Sequence, residues 1–408
     1  MLLARLPALY SSDVLAFEEK RAFDVSGDAE FLDSLPQQPG VILLEMKSAG
    51  AEPYLAQTAD IRRAAERLLK EPEPGSKRLN LRQAANSVSY RTTGSKFERT
   101  FAFYQHARAL FPQKYKDRAR LRPTALLKVN LRNSYPRCYV TRRIRADQGF
   151  YFGPFPSRRA ADAFNEGFLD LFKIRRCQIK IRRDPSFPGC VYSEMKMCMA
   201  PCFAGCTKEE YEADVGSLLA MLDSAGAALL DPLEREREGA SESLDFERAA
   251  GLHKRIEKVK AALRGLPDVT RRIDKLDAVI LQRGAGEKSV MVFPVVGGVL
   301  GEPIHLHFGD LSEPRSVEAN LREALPSSPR SAPGGAPESL RETYGLNAAS
   351  AELTEHLSLI ARWFYSKPRG GEILFRDGDW PYRRILRACA RILTPPAPAQ
   401  DAAPPPEP

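Results

Sequence analysis

Five of the chain's seven cysteines fall within thirty residues, CQIKIRRDPSFPGCVYSEMKMCMAPCFAGC (177–206). The gaps are twelve residues from Cys177 to Cys190, seven to Cys198, three to Cys202 and three to Cys206. Thiols this dense constrain a loop strongly, because four thiolates can surround a zinc ion or an iron–sulfur cluster. Disulfides are the weaker reading. No apolar run approaches the roughly 20 residues that a bilayer requires, and MLLARLPALY at the start is too short and interrupted for a secretory segment. The expected location is therefore cytoplasmic, without a membrane span, where thiols stay reduced. Zinc knuckles favour two-residue gaps, and none occurs here. The wide first gap and Pro201 before Cys202 suit a looped cluster site, but on the residues alone zinc and iron–sulfur both stand. Cys138 and Cys389 stand apart and read as small core residues.

The charge pattern supplies the second constraint. The net charge is +9, and it is concentrated. Lys114, Lys116, Arg118, Arg120, Arg122, Lys128, Arg132, Arg142 and Arg143, together with Arg137 and Arg145, face a single acid, Asp117, over 114–145. Like charges crowded this way repel, and a polyanion offsets that cost by releasing its counterions. DNA is the expected partner of those nine side chains. Tyr151, Phe152 and Phe155 follow in "YFGPF", which reads as a tight turn with packed aromatics more than as a base-stacking platform.

Pattern divides the chain into an α+β multidomain protein. Residues 1–110 mix a strand, Gly40–Met46, with helical stretches such as 60–69, and form a small α/β domain. Residues 111–206 are the basic, cysteine-rich region. In 207–265 two helices are expected. Thr207 and Glu210 form a capping box, Tyr211, Val215, Leu218, Leu219 and Leu222 share a face, and a polar break spans 234–243. A second helix then carries Ala249, Leu252, Ile256, Val259 and Leu263 in heptad spacing. Residues 266–393 return to strands, with Gly297-Gly298 as a hairpin turn, and form a small mixed α/β domain. A loop at 326–337 and a Pro/Ala-rich tail, 394–408, have no means of building a core.

Three stretches carry a resemblance. "GFYFGPFPSRRAADAF" (149–164), the cysteines ending in "KMCMAPC", and "SLDFERAAGLHKRIEKVKAAL" (243–263) are similar to the bacterial UvrC family, the nuclease subunit of nucleotide excision repair. "LDAVILQRGAGEKSVMVFPVVGGVLGEPIHLHF" and "LIARWFYSKPRGGEILF" are weaker likenesses. The resemblance implies a [4Fe-4S] cluster on Cys177, Cys190, Cys198 and Cys202, with zinc as the alternative and Cys206 outside the set. It implies a UVR-type helical hairpin that meets a UvrB-like protein through Leu244, Phe246, Ala249, Ala250, Leu252 and Ile256. It also implies DNA as partner and a place in DNA repair and the SOS response.

The same resemblance implies an N-terminal GIY-YIG nuclease, and here the sequence departs from the family. Ile42 stands where a tyrosine is needed. Tyr54 is kept, Gln57 replaces a lysine, Ala64 replaces an arginine with Arg63 one place away, and Phe103 falls near the metal-binding glutamate. A glutamate that holds Mg or Mn lowers the pKa of the attacking water and is hard to replace. A degenerate GIY-YIG-like domain in a scaffold or accessory subunit is therefore expected. The alternative is an active metal-dependent repair endonuclease rebuilt from Tyr54, Arg62 or Arg63, and Glu98, using Mg or Mn. A zinc-stabilised RNA- or transcription-associated binder is a third possibility. The family's second, RNase H-like nuclease has room here only for a leading fragment. His305 and His307 share one strand face there without a carboxylate partner, and no metal is assigned to them.

Overall fold

The computed structural model describes residues 17, 19–25, 28–71, 80–145, 147, 149–309, 314–325 and 338–394, without the side chains of 314–316 and 338–350. The expected loop at 326–337 and the tail from 395 onward lie outside the described residues.

The first unit contains β1 (Glu19–Ala22), α1 (Asp28–Asp33), β2 (Gly40–Met46), β3 (Tyr54–Thr58), α2 (Ile61–Leu69), α3 (Leu81–Ala84), β4 (Ala85–Thr92), α4 (Lys96–Leu110) and α5 (Tyr115–Arg118). Its strands form an antiparallel sheet in the order β1-β4-β2-β3. The run GVILLEM is apolar at consecutive positions because both faces of β2 are covered. Ile42 and Leu44 pack with Ile61, Ala65 and Leu69 of α2. Val41 and Leu43 turn the other way, toward Phe97 and Phe101 of α4. Each helix starts on a side-chain cap: Asp60 accepts from Arg63 N at 3.0 Å, and Ser95 accepts from Glu98 N at 3.1 Å.

The second unit begins with β5 (Ala125–Asn130), β6 (Cys138–Thr141) and β7 (Gly149–Phe155), covered by α6 (Arg158–Leu169). Phe152 and Phe155 are buried, and Phe155, Phe164, Phe168 and Phe172 form an unbroken aromatic column. The cysteine loop holds the short α7 (Val191–Glu194) and a 3-10 turn at Pro201–Phe203, and leads to three helices, where two were expected: α8 (Lys208–Asp223), α9 (Ala227–Glu242) and α10 (Phe246–Leu263). The breaks fall at Ala225-Gly226 and at Leu244, where φ is positive. The polar stretch 234–242 is helical because Glu, Arg and Ala are good helix formers, and Leu233 and Ala240 anchor it while its charges face water. The family-like hairpin is thus α9–α10, and α8 packs beside the second sheet.

A short strand, β8 (Arg271–Arg272), pairs with β7 and closes the second sheet as β6-β5-β7-β8. The expected domain boundary at 266 therefore falls before an element that belongs to the preceding sheet. The third unit contains β9 (Ala278–Arg283), β10 (Ser289–Val296), β11 (Val299–Leu300), β12 (Ile304–His307), α11 (Pro314–Ala324), α12 (Glu338–Phe364), β13 (Glu372–Phe375) and α13 (Tyr382–Leu393). Its sheet runs β11-β10-β9-β13, with β12 also on β10. Gly297 and Gly298 turn β10 into β11 with φ of 56° and 77°, the two positive angles of a two-residue hairpin.

The first and third units share one core. Phe97 and Phe101 of α4 meet Phe293 edge-on, with centroids 4.9 and 5.9 Å apart. Beside them lies a polar network that the sequence did not signal. Tyr104 donates to Glu355 at 2.8 Å, Tyr115 donates to the other oxygen of Glu355 at 2.8 Å, and Arg108 pairs with Glu352 at 2.6 Å. The backbones also touch: a Cβ on Gly94 would lie 2.0 Å from the carbonyl carbon of Gly284, so neither position accepts a side chain without movement.

Candidate cofactor and partner-binding sites

Cys177, Cys190, Cys198 and Cys202 line one cavity of about 240 Å³, walled by Arg175, Phe187 and Pro201. Local bonds hold the loop in this shape. Ser193 accepts from Cys190 N at 2.9 Å, Asp184 N donates to Cys202 O at 2.8 Å, and Ala200 and Ala204 flank the Pro201–Phe203 turn in the left-handed region. Ala200 N donates to Cys198 Sγ at 3.3 Å, and Arg175 Nη1 lies 3.8 Å from Cys177 Sγ. Burial, with a contribution from the three neighbouring sulfurs, pushes the Cys198 thiol up to about 11, and burial also raises Cys202.

Among the described residues no three His, Cys, Asp or Glu side chains converge closely enough for a single metal ion. The four thiols ring a space; they do not meet at a point. Cys206 lies on an adjoining groove of about 760 Å³, which it shares with Cys198 and Glu210.

The α9–α10 hairpin divides the six expected partner contacts. Leu244 and Phe246 are 70% and 67% exposed at its tip, Ala250 is exposed and Ala249 half-buried. Leu252 and Ile256 are buried with Val259 against α9 and the second core. The heptad seam is thus spent inside the chain, and of the six expected contacts Leu244, Phe246 and Ala250 are exposed to a partner.

The basic stretch divides in the same way. Lys128 is buried, paired with Asp147 and set 4.9 Å over the Tyr151 ring, so it is a packing residue and not a DNA contact. Lys114 and Arg118 pair with Glu52, at 3.6 and 3.1 Å, and Lys116 pairs with Glu355 at 3.0 Å. Arg120, Arg122, Arg132, Arg142 and Arg143 are exposed and form no ion pair among the described residues. Replacing Lys128 with Met should leave the salt dependence of DNA binding unchanged. Replacing Arg143 with Ala should lower its slope by about one unit. Titrating a labelled duplex at several salt concentrations measures both.

The comparisons with known proteins bear on these features. The sequence model of the UvrC/Cho excinuclease middle domain matches residues 125–221, and that of the UvrB/UvrC motif matches 227–262. Over these residues the chain is similar to the UvrC family. The UvrABC system protein C of Dehalococcoides mccartyi is 28% identical over 272 residues, 65% of this chain and 44% of that protein. The protein of the same name from Idiomarina loihiensis is 30% identical over 275 residues, 64% of this chain and 42% of its own length. That from Nitratidesulfovibrio vulgaris is 35% identical over 139 residues. The chain thus spans less than half the length of these curated relatives. No solved structure matches it.

The middle-domain match takes in the whole cysteine loop, and the motif match coincides with α9 and α10. Neither reaches the first sheet, where the residues singled out in the sequence are distributed over both faces. Ile42 is buried facing α2, Ala64 is buried, and Phe103 lies in the core on the opposite side of the sheet. Tyr54 and Gln57 are exposed on β3, and Arg63 points to Asp60 at 3.6 Å. Two groups of the rebuilt alternative, Arg62 and Glu98, are engaged in structural contacts. Arg62 donates to Leu35 O at 2.8 Å, and Glu98 is buried, accepting from Gly94 N at 2.8 Å.

Proposed function

We propose that this chain is a DNA-binding accessory or scaffold subunit of nucleotide excision repair that works in the cytoplasm with a UvrB-like partner. The observation that carries this reading is the match of the UvrB/UvrC motif to the α9–α10 hairpin, whose tip presents Leu244 and Phe246 to solvent. Two exposed apolar side chains at a turn, flanked by charged helix faces, suit a small hydrophobic anchor. The exposed arginines 120, 122, 132, 142 and 143 supply the phosphate-contacting surface.

The four cavity cysteines hold a [4Fe-4S] cluster in this reading. A tetrahedral zinc site, at about 2.3 Å per sulfur, would draw the sulfurs to within roughly 4 Å of one another. A cavity walled by the sulfurs suits the larger group. When bound, the cluster supplies a four-thiolate crosslink to a loop with little regular structure. Ala200 N–H and the Arg175 guanidinium face two of the sulfurs and orient them. The first unit makes no incision, because an isoleucine, an alanine and a phenylalanine occupy positions where the chemistry needs a phenol, a cation and a metal ligand.

The test is an incision assay with anaerobically purified chain, UvrB and Mg²⁺ or Mn²⁺, on lesion-bearing and nicked duplexes, with binding followed in parallel. Binding without cutting is expected. Metal-dependent cutting that disappears in Tyr54→Phe would overturn the non-catalytic reading. The same preparation should be brown and lose its iron in Cys198→Ser; a colourless, zinc-containing protein would overturn the cluster.

A further inference from the structure

A hydrogen-bonded relay leads from the cysteine cavity to the turn that joins β5 to β6. Arg175 is 4% exposed, and its guanidinium makes no ion pair with a carboxylate among the described residues. Its Nε donates to Tyr135 O at 2.8 Å, and its Nη1 donates to Ile179 O at 2.8 Å and lies 3.8 Å from Cys177 Sγ. Its backbone N–H donates to the Tyr211 hydroxyl at 2.9 Å, and that hydroxyl donates to Pro136 O at 2.7 Å. The Tyr135 and Tyr211 rings meet edge to face at 5.2 Å. Two consecutive carbonyls of the turn are therefore held, one by Arg175 directly and one through the Tyr211 hydroxyl that Arg175 N–H donates to, and Arg175 also grips a wall of the cavity.

A buried cation is costly unless an anion compensates it. The guanidinium of Arg175 is held by the carbonyls of Tyr135, Cys177 and Ile179 and lies beside Cys177 Sγ, so its position follows the cavity wall. The turn at the other end is closed by Asn130 N donating to Arg137 O at 3.1 Å. It carries the exposed Arg132 and also Arg137, whose guanidinium lies 4.3 Å over the Tyr139 ring.

We propose that Arg175 and Tyr211 act as positioning residues that couple occupancy of the cysteine cavity to the shape of the 131–137 turn, so that the loaded protein holds Arg132 and Arg137 ready for a DNA backbone and the emptied protein releases them. The inference rests on the cofactor reading above. It adds to that reading a means by which occupancy of the cavity controls how tightly the chain holds DNA.

The test uses the full chain, loaded and then stripped with an iron chelator under reducing, anaerobic conditions. Amide exchange across 131–139 is read together with affinity for a short fluorescein-labelled duplex. Stripping should speed exchange in the turn and weaken binding about tenfold, as expected for one or two lost phosphate contacts. Tyr211→Phe keeps the ring and removes the hydroxyl. With iron content and visible absorption unchanged, it should show the faster exchange and weaker binding before stripping, and stripping should then add less than about twofold. Arg132→Ala/Arg137→Ala provides a check that does not disturb the relay: stripping should still speed exchange but no longer alter affinity. Turn exchange that ignores stripping, or effects of Tyr211→Phe and stripping that simply multiply, would overturn the coupling alone. A chain purified anaerobically without bound metal would overturn the cofactor reading and this inference with it.

Discussion

Phe101→Ala should loosen two parts of the chain at once, though they lie far apart in sequence. Phe101 is 1% exposed and packs against Phe293, Tyr104 and His356. Truncating a buried phenylalanine costs about 3–5 kcal/mol, through lost transfer energy and the cavity left behind. That is a large share of the roughly 5–15 kcal/mol by which a domain is stable. The cavity would open between α4, β10 and α12, so both units lose support. Native-state amide exchange should report the same lowered opening energy for β2 and β4 in the first sheet and for β9 and β10 in the third. Phe168→Ala, in the second core, serves as the control and should leave those strands protected. If the third sheet kept its full protection in Phe101→Ala, the shared core would be a passive contact and not a joint structural unit.

The second expected result separates two residues that share a helix. Phe246→Ala at the hairpin tip should change stability by less than about 0.5 kcal/mol, as for an exposed position. It should weaken association with a UvrB-like partner by about 2 kcal/mol or more, roughly thirtyfold. Leu252→Ala, one and a half turns along α10, should cost about 2–5 kcal/mol of stability and affect association only through unfolding. Chemical denaturation paired with a binding titration distinguishes them. Equal binding by folded Phe246→Ala and wild-type protein would remove the tip from the interface.

Some of this was legible in the residues. The Thr207–Glu210 capping box forms in both directions, at 2.8 and 3.1 Å, because its signal is local. The Gly297-Gly298 turn is local in the same sense. The α10 heptad also identified its helix correctly. Periodicity, however, shows that a stripe is apolar and not what covers it, so Leu252 and Ile256 read as partner contacts when α9 already buries them. Lys128 misled for a related reason: its charge was visible, but Asp147 and Tyr151, which make its burial tolerable, are nineteen and twenty-three positions away and carry no local signal. The break drawn at 234–243 mistook a solvated helix face for a loop. Tyr104, Arg108, Glu352 and Glu355 could not have been grouped from the sequence, since a network closed across 251 positions follows from the whole topology.

That same separation sets a schedule for the nascent chain. Tyr104 emerges during synthesis 251 residues before Glu355. At about 5–20 residues per second, α4 waits roughly 10 to 50 s for α12. Until then Val41 and Leu43 cover Phe97 and Phe101 from the first sheet, and the side that α12 will cover lacks that partner. A chaperone that shields aromatic surface would find its longest opportunity there, and slower translation would lengthen the exposure in proportion.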